Sequence, residues 1–258
     1  MRRSLTVAAA LAVAALVLAG CASHPASKPT ATTDTLSGQV TVSAAASLTD
    51  VFNQIAKDFV TAHPDVHVVL NYGGSSALAQ QIVQGAQVDV FAAANQSTMK
   101  TVTDASLASN PTLFATNTLQ IAVPPDNPGK VTGLADFANP KLAIVLCAVA
   151  VPCGSAAAAV FADAGVTPSV DSYEQDVKSV LTKVELGEAD AGMVYRTDVL
   201  AAGDKVTGID FPEAASETNQ YPIAVLANPV SPDAAKAFVA WVLSPKGQKV
   251  LSDAGFGA

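Results

Sequence analysis

Four short turns in this sequence share one chemistry. Ala44-Ala45-Ala46-Ser47-Leu48, Gly73-Gly74-Ser75-Ser76, Val151-Pro152-Cys153-Gly154-Ser155 and Gln175-Asp176-Val177 stand where strand-like segments end and helical spacing begins. The first turn of a helix carries backbone N–H groups with no intrahelical acceptor, and with them a partial positive charge. Serine hydroxyls at such positions add further donors. Several helix starts brought together at the carboxyl ends of strands would form an anion site that needs neither lysine nor arginine. The alternative for each turn taken singly is an ordinary capped helix start.

No competing constellation points to catalysis. Gly-x-Ser-x-Gly, a P-loop and HExxH do not occur. His63 abuts Pro64 at a helix end and His67 falls in a strand, so both read as surface residues. Asp89, Asp176 and Asp190 show no spacing suited to paired acid and base work. Three cysteines and three histidines are too few for most structural zinc sites.

The elements that must position the turns follow from apolar periodicity. Val40 to Ala45 reads as a buried strand. Leu48, Val51, Phe52, Ile55 and Phe59 then fall on one face of a helix over 47–62, with Ser47 and Asp50 as a capping-box-like start and His63-Pro64 as its stop. A strand over 66–70, a helix from the Gly73-Gly74-Ser75-Ser76 turn to Gly85, and a strand over 88–93 follow. This alternation predicts a parallel sheet flanked by helices. Further strands are predicted over 119–123, 141–147, 189–195 and 221–227, and helices over 155–164, 177–186, 233–243 and 246–254. The residues 124–129, Pro-Pro-Asp-Asn-Pro-Gly, form a surface turn. The count suits two α/β lobes better than one.

With 258 residues, 50% hydrophobic and 14% charged, the chain can build a core, and disorder as its main state is excluded. Aromatics are 5%, which predicts an aliphatic, alanine-rich interior. The net charge of −8 excludes a general nucleic-acid binder.

The N-terminus reads as an address. Arg2 and Arg3 precede an apolar run from Val7 to Ala19, short for a bilayer span but suited to a signal sequence. Leu18-Ala19-Gly20-Cys21 resembles the lipobox of bacterial lipoproteins, in which cleavage precedes the cysteine and its sulfur is acylated. The alternative is a plain signal peptide with an incidental cysteine. On the first reading, residues 1–20 are removed, two arginines are lost and the charge moves from −8 to −10. Cys21 then carries lipid, and residues 21–37, rich in Ser, Thr, Pro and Ala and containing His24, form a flexible tether. Cys147 and Cys153 remain as a pair whose spacing permits a small disulfide-closed loop, the alternative being two free thiols.

The strand Val40-Thr41-Val42-Ser43 running into Ala44-Ala45-Ala46-Ser47-Leu48, then Gly74-Ser75-Ser76-Ala77-Leu78 and Asp89-Val90-Phe91-Ala92-Ala93-Ala94, together resemble the molybdate-binding proteins of bacterial ABC importers. Gly192-Met193-Val194-Tyr195-Arg196-Thr197-Asp198-Val199 and Tyr221-Pro222-Ile223-Ala224-Val225 continue the likeness, which runs from about Gly38 to Gly257. The resemblance implies a type II periplasmic-binding-protein fold, with two α/β lobes joined by a two-strand hinge and the ligand in the cleft. Lobe 1 would take 38–117 plus 224–258, and lobe 2 would take 118–223. It implies oxyanion donors at the hydroxyls of Ser47, Ser75 and Tyr195 and the backbone amides of Val177 and Cys153. At the last position the family often has alanine, and a Cys147–Cys153 bond would set that loop's shape.

The function so implied is a non-enzymatic, monomeric receptor. It would be held on the outer face of the cell membrane by its lipid and pass molybdate or tungstate to an ABC permease and its ATPase. No cofactor, direct metal-ion ligand or nucleic-acid partner is expected. The same fold serving sulfate, thiosulfate or phosphate is the alternative, and an exported enzyme or adhesion module a remote one.

Overall fold

A computed structural model of the chain describes residues 36–257. The expected signal peptide (1–20), the expected lipidation site Cys21, His24 and all of the expected tether but its last two residues lie outside the described residues.

Strands and helices alternate through the first half. β1 (Gly38–Ala45) leads through a 3₁₀ turn, Ala46–Leu48, into α1 (Thr49–Ala62); β2 (Val66–Gly73) leads through Gly74 into α2 (Ser75–Val83). β3 (Val90–Ala92), α3 (Gln96–Asp104) and the long β4 (Thr112–Val123) follow. The second half holds β5 (Ile144–Cys147), α4 (Pro152–Asp163), β6 (Ser172–Glu174), α5 (Val177–Glu185), β7 (Ala191–Tyr195), α6 (Arg196–Ala202), β8 (Thr207–Ile209) and β9 (Thr218–Val225). The chain closes with α7 (Pro232–Leu243) and α8 (Pro245–Asp253).

The strands form one curled sheet in the order β2-β1-β3-β9-β4-β7-β5-β6, with β8 also on β4. The expected parallel pairing holds for β1 with β2 and β3, and recurs for β5 with β6 and β7. It fails at the centre, where β9 and β4 run antiparallel to all their partners. Both are long enough to serve two neighbourhoods. β4 pairs with β9 over Thr112–Thr118, then with β7 over Leu119–Ala122. They are the two strands that join a β2-β1-β3 half to a β7-β5-β6 half. The fold is the α/β, type II periplasmic-binding-protein class.

Separate cores lie on either side of this exchange. One gathers Ile121, Phe137, Val160, Val180 and Met193. The other gathers Val42, Phe52, Phe59 and Phe238, together with Tyr221 and Ile223 of β9. The scarce aromatics are concentrated rather than replaced by aliphatics. Phe59 meets Phe238 edge-on at 5.4 Å, Phe52 meets Phe238 at 6.2 Å, and Trp241 lies 5.7 Å from Phe59. His63 packs on this cluster, 4.8 Å from Phe59, while His67 is exposed.

Four elements escaped the sequence pattern for identifiable reasons. In α3 only Met99 and Val102 are buried apolar residues, and the helix is started by the Asn95 side chain, which accepts from the Thr98 amide at 2.9 Å. α6 follows β7 directly, with no glycine or proline between them. β6 and β8 are three residues each, too short for a readable period. Two carboxylates without acid–base spacing prove to be staples. Asp89 accepts from the Thr41 amide at 2.7 Å and from the Val230 amide, and Asp190 from the Ala143 amide at 2.8 Å. Phe238, fully buried where three rings meet, is the core's most sensitive point. Phe238→Ala is expected to cost about 3–5 kcal/mol in urea unfolding, with the midpoint lowered accordingly.

Candidate functional site

The four turns converge. Ser47, Ser75, Cys153, Val177 and Tyr195 line one cavity, with Ala46, Gly74, Ala94 and Pro152 between them. It leaves about 20 Å³ open to the centre of a water-sized sphere. Treated as round, and with the water radius of about 1.4 Å added, this is a hole of about 3 Å radius. That suits one small polyatomic ion and is far below the 300–1,000 Å³ of sites for larger organic ligands.

Each donor is placed by the end of a strand. β1 stops at Ala45, and the 3₁₀ turn carries Ser47 inward. Contrary to the capping-box expectation, Ser47 caps nothing. Its buried hydroxyl lies 3.0 Å from the Tyr221 hydroxyl, and Thr49, not Ser47, bonds back to the turn through the Ala46 carbonyl. The tight turn places Ser47 on the cavity wall, where the Tyr221 hydroxyl holds it. Ser75 opens α2 and is 1% exposed; its oxygen accepts the Ala94 amide at 3.0 Å, which leaves its own proton to donate.

Two helix starts supply amides. α5 begins at Val177, and Asp176 caps it by accepting from the Ser179 amide at 2.9 Å. That bond serves the third amide of the helix and leaves the Val177 N–H unused by the cap. α4 begins at Pro152, so its first position carries no N–H and Cys153 is the first donor. Cys153 is bonded to Cys147, the last residue of β5, which pins the start of α4 to the end of its strand. Gly154 is required there, since a Cβ would lie 2.0 Å from the Ala148 carbonyl oxygen.

Tyr195 ends β7 and is 1% exposed. Its amide donates to Asp198 Oδ2 at 3.1 Å, while its buried hydroxyl makes no well-aligned hydrogen bond and has the Tyr221 hydroxyl as its neighbour. Burial first, then the neighbouring Tyr221 and Asp198, hold this phenol well above its ordinary pKa, so it is a neutral donor. Burial does the same to Tyr221. The cavity wall carries no lysine or arginine, and its one ionic residue, Asp176, is turned to its own helix. Among the described residues no cluster of histidine, cysteine and carboxylates is poised for a metal ion, and no helix is long and apolar enough to cross a membrane.

The bacterial extracellular solute-binding protein family matches residues 40–257. The chain belongs to that family. This solute-binding protein is 43% identical over 248 residues to the molybdate-binding protein ModA of Mycobacterium tuberculosis, covering 96% of this chain and 94% of that one. The periplasmic molybdate-binding protein of Azotobacter vinelandii superposes with a TM-score of 0.74 at 20% identity, over 85% of this chain and 99% of that one. The sulfate-binding protein SubI of M. tuberculosis does so at 0.73 and 17%, over 84% and 86%.

Sequence reasoning missed Tyr221, Asp198 and Lys178. Tyr221 lies 174 residues from Ser47 and no local pattern links them. Asp198 sits in a helix the sequence did not reveal. Tyr221→Phe would leave the buried Ser47 hydroxyl without this partner. It is expected to lower unfolding free energy by about 0.5–1.5 kcal/mol, read from urea titrations of variant and parent.

Proposed function

We propose that this solute-binding protein captures molybdate, and equally tungstate, outside the cytoplasm and delivers it to an ABC permease driven by its ATPase. The observation that carries the reading is the convergence of three uncharged hydroxyls and two helix-start amides on a cavity sized for one small ion. The 43% likeness to ModA supports the choice of ion. Hydrogen bonds to a charged acceptor are worth about 1.5–3 kcal/mol each. Five or more, less the cost of association, bring affinity into the range of about −8 to −12 kcal/mol, micromolar to nanomolar.

In this reading the hydroxyls of Ser47, Ser75 and Tyr195 and the amides of Val177 and Cys153 hold the four oxygens. The donors lie on both sides of the β4–β9 exchange, which supports 38–117 plus 224–258 and 118–223 as lobes that close on the ion. Gly74 marks how tightly they close, since a Cβ there would stand 2.2 Å from the Gln175 carbonyl oxygen. The protein acts as a monomer, in its secreted form with Cys147 and Cys153 oxidised. Cleavage before Cys21 and acylation of its sulfur anchor it to the outer face of the membrane through the 21–37 segment.

Sulfate is a second reading, because the superpositions on the molybdate- and sulfate-binding structures, at 0.74 and 0.73, do not separate the two ions. Melting of the purified 38–258 body with millimolar oxyanions decides. Molybdate and tungstate are expected to raise Tm by several degrees, and sulfate and phosphate by little. A rise with sulfate alone selects the second reading, and no rise with any of them removes both. Ser75→Ala is expected to weaken molybdate by about 1–3 kcal/mol in calorimetry. Gly74→Ala is expected to weaken it at least tenfold, because the added methyl meets backbone, which cannot swing aside; parental affinity in that variant would contradict the closed contact.

A further inference from the structure

Behind the cavity lies a buried charge that the donors do not explain. The Asp198 carboxylate has no exposed surface. Its Oδ2 accepts the Tyr195 amide at 3.1 Å, and its Oδ1 faces the Lys178 ammonium. A buried carboxylate at the back of an anion site opposes any anion bound there. One cation meets it: Lys178 Nζ lies 3.5 Å from Asp198 Oδ1 and also 2.8 Å from Asp50 Oδ2 on α1. Lys178 directly follows Val177, the proposed amide donor, so its backbone is fixed by the same helix start.

We propose that Lys178 is the charge-compensating positioning residue of the oxyanion site. It neutralises Asp198 behind Tyr195 and clasps Asp50 across to α1, while staying out of the cavity wall. This deepens, and rests on, the oxyanion reading above. It explains how a cavity without a cation in its wall tolerates a buried carboxylate beside Tyr195. Arg196 does not substitute for it, because its side chain is exposed.

The groups that face Asp198 are Lys178 from α5, Asp50 from α1, Tyr195 from β7 and Tyr221 from β9. Burial pushes the Asp198 acid up to about 6, and Lys178 and the Tyr195 amide restrain it from rising further. The sign follows. With Lys178 present, Asp198 is ionised and paired from pH 7 to 9, so the charge around the site does not change in that range. Without Lys178 the acid titrates higher. A larger share of it is then protonated near neutrality, and it ionises, unpaired, as the pH rises. Both tyrosines are held above their ordinary range and stay neutral.

The test is calorimetric affinity for molybdate from pH 7 to 9 in three proteins: the parent, Lys178→Met and Lys178→Met with Asp198→Asn. The parent is expected to vary less than about threefold. Lys178→Met is expected to bind like the parent near pH 7 and to lose at least tenfold by pH 9, with proton uptake on binding. The double variant is expected to be flat again. A purely structural lysine would weaken binding equally at every pH, and a Lys178→Met profile parallel to the parent's overturns the proposal. So does a double variant that keeps the fall. If Lys178→Met does not fold, Asp198→Asn alone, with Lys178 intact, is expected to tighten binding several-fold at pH 8; no tightening overturns the proposal. A parent that binds no oxyanion overturns the functional reading itself and the proposal with it, whereas a binding parent with parallel variants overturns the proposal alone.

Discussion

An ion taken out of water must recover the hydrogen bonds it gave up, or it stays in water. In the proposed reading that constraint organises the whole molecule. A lysine in the wall would supply attraction but also a strongly hydrated point charge that any anion could use. Fixed amides and hydroxyls supply direction instead. Within each half of the fold they are already held by helix starts and strand ends before the ion arrives. The remainder of the fold is a way to bring five such ends to one point. β1 and β2 lead to Ser47 and Ser75, β5 to Cys153 through its disulfide to α4, β6 to Val177 at the start of α5, and β7 to Tyr195.

Close approach is the second requirement, and small residues meet it. Ala46, Ala94 and Gly74 stand between the donors, where larger side chains would fill the cavity. Gly74 lies so near the Gln175 carbonyl that backbone meets backbone across the site. Two residues on, Ser76 makes a second contact: its Oγ donates to the Ala150 carbonyl at 2.6 Å. The alanine richness of the chain thus serves the site as well as the core.

Much of this was legible in the sequence because the site is built from local features. A strand followed by a serine or glycine turn and a helix is a short-range pattern, and the four turns so marked fall on one cavity, together with Tyr195, which the family resemblance supplied. What could not be read is non-local. Tyr221 holds Ser47 from the far end of the chain, and Asp198 and Lys178 meet only after α5 and α6 pack together. The capping-box pattern at Ser47 and Asp50 was misleading for the same reason, since a partner distant in sequence draws the Ser47 hydroxyl away from the helix. The parallel alternation held within each half of the sheet and failed where β4 and β9 join them, because a strand that serves two halves must answer to both.

The most direct test of the central claim is to see what surrounds the ion. In a crystal grown with tungstate, the anomalous signal of the heavy atom marks its position without reference to the protein. One peak is expected, with oxygens within hydrogen-bonding distance of the Ser47, Ser75 and Tyr195 hydroxyls and the Cys153 and Val177 amides, and Lys178 behind the wall. A peak elsewhere, or one coordinated by a lysine or arginine side chain, would contradict the account.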